Sequence, residues 1–292
     1  MPELPEVEVT RRQIERVLVG RTVAEVETTA PSYFFLTPPS ELRSRLLGRR
    51  VTRLERVGKY LVGHLDDGSR LLLHLGMTGQ LIAARMQPEP ATAKRRTRST
   101  APKKEAEPFE CDRHTHLVLT FREPGPRLCF RDVRKFGKVA WIPKGAANER
   151  LDKLGPDALR VTGKALFQAT RSRSIPIKTA LLDQSLLAGV GNIYADEALF
   201  VAKIRSTRPA NRLTVAECDA LAGALKQVLK RSIATGGSTI SDYVRPDGRD
   251  GGYQEHHLVY GREGEPCPRC GTPIRRIVLA GRSTHFCPRC QK

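Results

Sequence analysis

Apolar residues are spaced in two different ways along this chain. At the start, Val7, Ile14, Val17 and Leu18 share one face of a helix that opens near Pro5 and stops before Gly20. Strand-like runs then dominate, over 21–27, 51–57, 60–65, 70–75, 116–121, 127–130 and 139–142, with a short helix over 39–47 stopped by Gly48. Asp66-Asp67-Gly68-Ser69 is a turn between two of these strands. The first half therefore reads as an antiparallel β domain carrying at least one helix.

From Leu151 onward the period is helical. Thr214-Val215-Ala216-Glu217 is a capping box for a helix carrying Leu221, Leu225, Val228, Leu229 and Ile233. Ahead of it the pattern predicts helices over 177–187 and 193–201, separated by Ala188-Gly189-Val190-Gly191-Asn192. Such a glycine turn at a helix start can hold a phosphate on its amides and the Asn192 side chain, or Asn192 can serve as a plain N-cap. After the long helix, Thr235-Gly236-Gly237-Ser238-Thr239-Ile240-Ser241-Asp242-Tyr243 is a small, polar segment that reads as mobile and able to close over a ligand.

With 292 residues there is room for about two domains, each with a real core. Fifty Lys and Arg against 31 Asp and Glu give a formal net charge of +19, which points to a polyanionic partner, nucleic acid ahead of an anionic membrane. No apolar run approaches the ~18 residues of a membrane span, and the acidic, Pro-interrupted start is not a signal peptide, so the expectation is a soluble cytoplasmic protein. Residues 91–104 contain six basic side chains, no acid and no large apolar group. They read as a disordered basic loop, either attracting phosphates or acting as a solvated spacer.

Of seven cysteines, Cys111, Cys129 and Cys218 look like scattered core or surface thiols. Cys267-Pro-Arg-Cys270 and Cys287-Pro-Arg-Cys290 are two C-x2-C knuckles sixteen residues apart, the spacing of a four-thiolate zinc site with a β-hairpin between the pairs. Disulfides are the alternative, and a reducing cytosol disfavours them.

The first eight residues, Met-Pro-Glu-Leu-Pro-Glu-Val-Glu, carry the candidate chemistry. Removal of Met1 ahead of a small residue leaves the secondary amine of Pro2 beside the Glu3 carboxylate. An α-amino group titrates near pKa ~8 and lysine near ~10.4, so a useful fraction of a terminal amine is free base at neutral pH. A free amine attacks sugar or carbonyl carbon, and a proline amine so alkylated becomes an iminium that withdraws electrons without needing a proton. The positive end of the following helix disfavours the protonated amine. The plainer reading is that the Pro-rich start only caps the helix.

These motifs coincide in one family. MPELPEVE, GKYL at 58–61, HLGMTG at 74–79, GVGNIYADE at 189–197 and GGYQEHHLVYGREGEPCPRCG through the terminal CPRCQK resemble the signatures of bacterial formamidopyrimidine-DNA glycosylases. The resemblance implies an α+β fold: an N-terminal antiparallel β-sandwich with flanking helices in 1–150, a helix-two-turns-helix module in 151–250, and a four-cysteine zinc-finger hairpin in 251–292 holding one structural zinc ion; the basic loop at about 86–111 is longer than the family pattern. It implies base-excision repair of double-stranded DNA containing oxidised purines by a monomer, with Pro2 as Schiff-base nucleophile, Glu3 as acid/base, and β- then δ-elimination. Lys59 and Arg282 would grip phosphates and donate protons in the two eliminations, and Glu6 would support them. His74 and Asn192 match phosphate contacts. Met77, Arg134 and Phe136 match the trio filling the space of a flipped-out base. Thr235, Gly236, Gly237, Ser238, Thr239 and Tyr243 match the loop covering it.

Taken alone, Lys59 and Arg282 read as solvated charges, Met77 and Phe136 as core, and His74 equally as structural. The family's common DPRRFG is Asp132-Val133-Arg134-Lys135-Phe136-Gly137 here, which puts that loop's rigidity in question. Two alternatives stand beside the purine reading. One is an endonuclease VIII-type glycosylase for oxidised pyrimidines, against which Leu4 and the trio count. The other is a noncatalytic zinc-ribbon DNA-binding protein.

Overall fold

The computed structural model describes residues 2–84, 109, 111–239 and 243–292. The predicted basic loop of 86–111 therefore lies almost wholly outside the described residues, as do Met1 and residues 240–242. Helix α1 (Leu4–Leu18) leads into β1 (Val23–Thr28), α2 (Pro39–Leu46), β2 (Val51–Val57), β3 (Tyr60–Leu65), β4 (Arg70–His74), β5 (Gly79–Ala84), β6 (Thr115–Phe121), β7 (Arg127–Asp132) and β8 (Lys138–Ile142). The strands make two four-stranded sheets ordered β1-β6-β7-β5 and β2-β3-β4-β8. Every pairing is antiparallel.

Inward residues of both sheets, among them Val26, Leu54, Leu61, Leu73, Leu119, Leu128 and Phe130, meet Val7, Ile14 and Leu18 of α1 in one core. Burying each such side chain stabilises the fold by roughly 1.5–3 kcal/mol, so α1 is held to the sandwich by its apolar face.

The second half contains α3 (Glu149–Asp152), α4 (Gly163–Thr170), α5 (Ile177–Leu182), α6 (Asn192–Val201) and α7 (Val215–Ala234). The capping box of α7 forms: the Thr214 N–H donates to the Glu217 carboxylate at 2.8 Å, and the Glu217 N–H to the Thr214 hydroxyl at 3.2 Å. Helix α6 is buried on all sides from Ile193 to Phe200. It packs with α5 and α7 in a second core that also takes in Leu4, the first residue of α1. The chain ends in a hairpin of β9 (Arg275–Leu279) and β10 (Arg282–Phe286). Among the described residues no helix is long and apolar enough to cross a membrane.

Local chemistry explains where these elements differ from the apolar pattern. The helix expected over 177–187 stops at Leu182 because the Asp183 carboxylate accepts from the backbone and hydroxyl of Ser185, an Asx turn that outcompetes continued helix. Leu186 and Leu187 stay buried as part of that turn. Strand β5 is absent from the apolar pattern; it is a sheet edge whose large buried side chain is Leu81 alone, so it has little period to read. Helix α4 is likewise unmarked by that pattern, although Thr162 caps it by accepting from the Ala165 N–H. Cys129 and Cys218 are buried thiols and Cys111 is an exposed one, although the sulfurs of Cys111 and Cys129, apart in sequence, lie 3.5 Å from each other.

Candidate active site and nucleic-acid interface

Glu3 is the N-cap residue of α1 and is 3 % exposed. Its Oε1 accepts the Ile193 N–H, at the start of α6, at 3.1 Å. The N-cap of α6 is Gly191, not Asn192, and a Cβ on Gly191 would lie 2.2 Å from the Glu3 carboxyl carbon. Gly189, at φ +103°, leaves the same kind of room for Leu4, whose N–H donates to the Gly189 carbonyl at 3.0 Å. The glycine turn expected to cradle a phosphate thus already receives a carboxylate, and glycine is needed because the N-terminal segment presses against it. Helix N-termini favour an anion there. Burial nonetheless raises the Glu3 pKa, with nearby Lys59 opposing. The other oxygen, Oε2, is buried with no hydrogen-bond partner among the described residues.

Glu6 lies one helical turn on and is 1 % exposed. Its Oε2 accepts the Glu3 N–H at 2.8 Å, and its Oε1 accepts the Ser238 N–H at 2.8 Å and the Tyr194 hydroxyl. Tyr194 also touches the Ser232 hydroxyl at 2.6 Å. One carboxylate therefore joins the N-terminal residues to the segment after α7. Burial, reinforced by Glu3, pushes Glu6 up to about 7. The described part of that segment is anchored rather than free. Gly237 donates to the Ser232 carbonyl, Thr239 donates to Gln254, and the buried Tyr243 hydroxyl donates to the Glu6 carbonyl.

Lys59 is 6 % exposed, contrary to its reading as a solvated charge. It sits in the β2–β3 turn behind Gly58, which is held by Arg56. That guanidinium donates to the Gly58 carbonyl at 3.0 Å, Asp157 at 2.7 Å and Glu8 at 3.1 Å, tying α1, β2 and the helical half together. Burial lowers the Lys59 pKa while Glu3 and Glu6 oppose it, which makes the ammonium a readier proton donor. His74 lines the same cleft as Lys59, with Arg150, Lys153 and Gln184. Burial, then the neighbouring Lys59, Arg150 and Lys138, push His74 down to about 4, so it is neutral at pH 7. Its Nδ1 accepts the Gly76 N–H at 3.2 Å, which leaves Nε2 carrying the hydrogen.

Asn192 and Arg282 come together through one backbone group. The Ser283 carbonyl, next to Arg282, accepts from Asn192 Nδ2 at 3.0 Å and from Lys178 Nζ at 2.6 Å. Lys178 is paired with Asp196 at 2.8 Å, both 1 % exposed or less, and Asp196 accepts the His285 N–H at 2.8 Å. Sequence reasoning does not single out Lys178, Tyr194 or Asp196; the latter two lie inside the GVGNIYADE run, and nothing in the pattern marks their buried partners. Arg282 itself is exposed at the hairpin turn.

Met77, Arg134 and Phe136 form one exposed group, which corrects the reading of Met77 and Phe136 as core: they are 36 % and 47 % exposed. Two loops bring them together. A Cβ on Gly76 would lie 2.4 Å from the Phe136 carbonyl carbon, so the β4–β5 and β7–β8 connections touch backbone to backbone.

The four thiols of Cys267, Cys270, Cys287 and Cys290 lie within 4.8 Å of one another, with Cys267–Cys290 at 3.9 Å and Cys270–Cys287 at 3.5 Å. Zinc–sulfur bonds of ~2.3 Å in a tetrahedron require sulfur separations of this size. Two backbone N–H groups, of Arg269 and Cys290, point at Cys267 and Cys287 sulfurs at 3.4 Å, as thiolate acceptors need. Phe200, Val259 and Ile274 wall the cluster with apolar side chains. It is the site of one structural zinc ion.

Three family models match in chain order: the formamidopyrimidine-DNA glycosylase N-terminal domain over 1–139, that enzyme's H2TH domain over 154–244, and a zinc finger found in FPG and IleRS over 264–292. A formamidopyrimidine-DNA glycosylase of Thermus thermophilus is 42 % identical over 297 residues, covering 100 % of this chain and 98 % of that protein. The crystal structure of a MutM (Fpg) protein from Thermus thermophilus superposes with a TM-score of 0.81 at 41 % identity over 99 % of this chain and 98 % of that one. A Lactococcus lactis Fpg bound to Fapy-dG DNA gives 0.81 at 35 % identity over 99 % and 100 %. Sandwich, H2TH module and zinc finger together define a DNA glycosylase of the H2TH class. Within that class, the chain belongs to the formamidopyrimidine-DNA glycosylase family.

Two measurements test this geometry. With Glu6 raised from the usual 4.5 to about 7, the folded chain binds a proton more tightly than the unfolded one. Stability must therefore fall as pH rises between those values, by at most on the order of 3 kcal/mol from this group. Glu6→Gln removes that slope, so in thermal melts from pH 5 to 8 the variant gains several degrees on the wild type; parallel curves would refute the assignment. Cys287→Ser should lose zinc, measured by metal analysis, and with it roughly tenfold or more in DNA affinity as Arg282 loses its mount. Full affinity in the metal-free variant would detach the finger from DNA binding.

Proposed function

We propose that this chain excises oxidised purines, 8-oxoguanine and formamidopyrimidines, from double-stranded DNA and then cleaves the abasic site. The observation that carries the reading is the buried Oε2 of Glu3, without a hydrogen-bond partner among the described residues, next in sequence to Pro2 and in electrostatic contact with Lys59. Support for the substrate comes from relatives: the names of the curated proteins, and solved complexes of an Fpg with Fapy-dG DNA and of MutM with carbocyclic 8-oxo-G DNA.

Once Met1 is removed, the lone pair of the Pro2 nitrogen attacks C1′ of the flipped nucleotide and the glycosidic electrons leave with the base, which takes up a proton. The sugar ring opens at O4′, and a C1′ iminium forms on Pro2. Glu3 moves protons during ring opening. The iminium acidifies C2′; loss of that proton expels the 3′ phosphate, with Lys59 as proton source. A second elimination expels the 5′ phosphate with Arg282 beside it. His74, through Nε2–H, and Asn192 hold neighbouring phosphates, contacts that position DNA without reading sequence. Met77, Arg134 and Phe136 enter the vacated stack, and residues 235–243 cover the extruded base with Glu6 fixing their root. The division 1–150, 151–250 and 251–292 follows these tasks, and the protein works as a monomer on cytoplasmic DNA.

Borohydride trapping on a duplex with one 8-oxoguanine opposite cytosine, followed by peptide mapping, should place the adduct on Pro2. Pro2→Gly and Glu3→Gln should keep DNA affinity while cleavage falls by about 100-fold or more, the scale of a lost nucleophile or acid/base group. No adduct in protein whose N-terminus is Pro2 would refute the mechanism. Faster release of thymine glycol than of 8-oxoguanine would reassign the substrate.

A further inference from the structure

Tyr33 is 58 % exposed, more than either neighbouring aromatic of its own segment, and no part of the scheme above uses it. The chain delivers it rigidly. Phe34 and Phe35, the next two residues, are 0 % and 8 % exposed in the sandwich core. The segment is stitched to β8: the Val139 N–H donates to the Phe34 carbonyl at 3.0 Å and the Leu36 N–H to the Val139 carbonyl at 2.8 Å. Tyr33 therefore stands on a fixed base beside the β7–β8 loop.

Its hydroxyl donates to the Arg134 carbonyl at 2.7 Å. Its ring centroid lies 6.4 Å from that of Phe136, tilted by 48°, with the Lys138 ammonium 4.8 Å above it. The loop needs such support. Lys135 holds φ +57°, a left-handed conformation that a non-glycine residue keeps only when its surroundings enforce it. Val133 lacks the ring with which proline stiffens a backbone. The inner side of the loop is pinned by Asp132, whose carboxylate accepts from the Thr78 hydroxyl, the Arg134 N–H and the Gly137 N–H. The outer side is held by Tyr33.

We propose that Tyr33 is a positioning residue for reading the base opposite the lesion: its hydroxyl fixes the Arg134 backbone and its ring buttresses Phe136. This rests on the reading of Arg134 and Phe136 as groups inserted where the extruded base leaves the stack. Tyr33 also extends the exposed apolar surface of Met77, Val133 and Phe136. On a chain of net charge +19, that surface is suited to bases rather than phosphates.

The test is single-turnover excision of 8-oxoguanine opposite cytosine and opposite adenine by wild type, Tyr33→Phe, Tyr33→Ala and Arg134→Ala. Each variant that disturbs the reading moves the cytosine-to-adenine rate ratio toward one. The expected change is roughly 3-fold for Tyr33→Phe, which removes one hydrogen bond, and roughly 10-fold for Tyr33→Ala, which removes the ring as well. Partial unfolding lowers both rates alike and leaves the ratio unchanged. If Arg134→Ala shifts the ratio and neither Tyr33 variant does, the proposal is wrong while the loop's role stands. If Arg134→Ala leaves the ratio untouched, opposite-strand reading by this loop fails and the proposal falls with it.

Discussion

Two carboxylates buried at a junction of two cores set the terms for everything around them. Glu3 and Glu6 are both nearly sealed from water. Ionised groups there are costly unless donors surround them. The protein supplies those donors from three directions: the first turn of α6, the segment after α7, and the backbone of α1 itself. What remains without a hydrogen-bond partner among the described residues is one oxygen of Glu3. Of the two buried carboxylates, that oxygen is the acceptor the fold leaves open.

Much of this is legible from residue order because local chemistry and tertiary role agree in it. The capping box at Thr214, the paired C-x2-C knuckles and the strand periods each specify their own geometry, and each forms. Legibility fails where a side chain answers to a distant partner. Asn192 reads as an N-cap, but Gly191 holds that position and one hydrogen of the Asn192 amide goes to the Ser283 carbonyl some ninety residues away. Lys59 reads as solvated because lysines usually are; here the close approach of Gly58 to Ala188 and the carboxylates beside it bury the ammonium. Met77 and Phe136 are the converse case, large apolar side chains left outside by loops packed backbone to backbone.

Under the proposed function, the face offered to DNA combines two kinds of precision. The phosphate donors of that scheme are held from behind: Arg282 through Ser283, Lys59 through Arg56 and Gly58, His74 through Gly76. None of these supports depends on base identity. Met77 and Phe136 are different, because their loops are braced by Asp132 and Tyr33 rather than by burial of those two side chains. Cation contacts can tolerate small displacement, whereas a wedge between stacked bases cannot.

Helix α1 is shared unequally. Leu4 packs in the helical core, while Val7, Ile14 and Leu18 pack in the sandwich. At ~1.5 Å of rise per residue, the changeover occupies about 5 Å of helix. Were the two bodies to rock against each other around a bent duplex, the axis of least displacement would run through that short stretch. Pro2, two residues ahead of Leu4, lies beside that stretch and would move least. A hinge placed there would let the two bodies shift while the N-terminal residue stays nearly still.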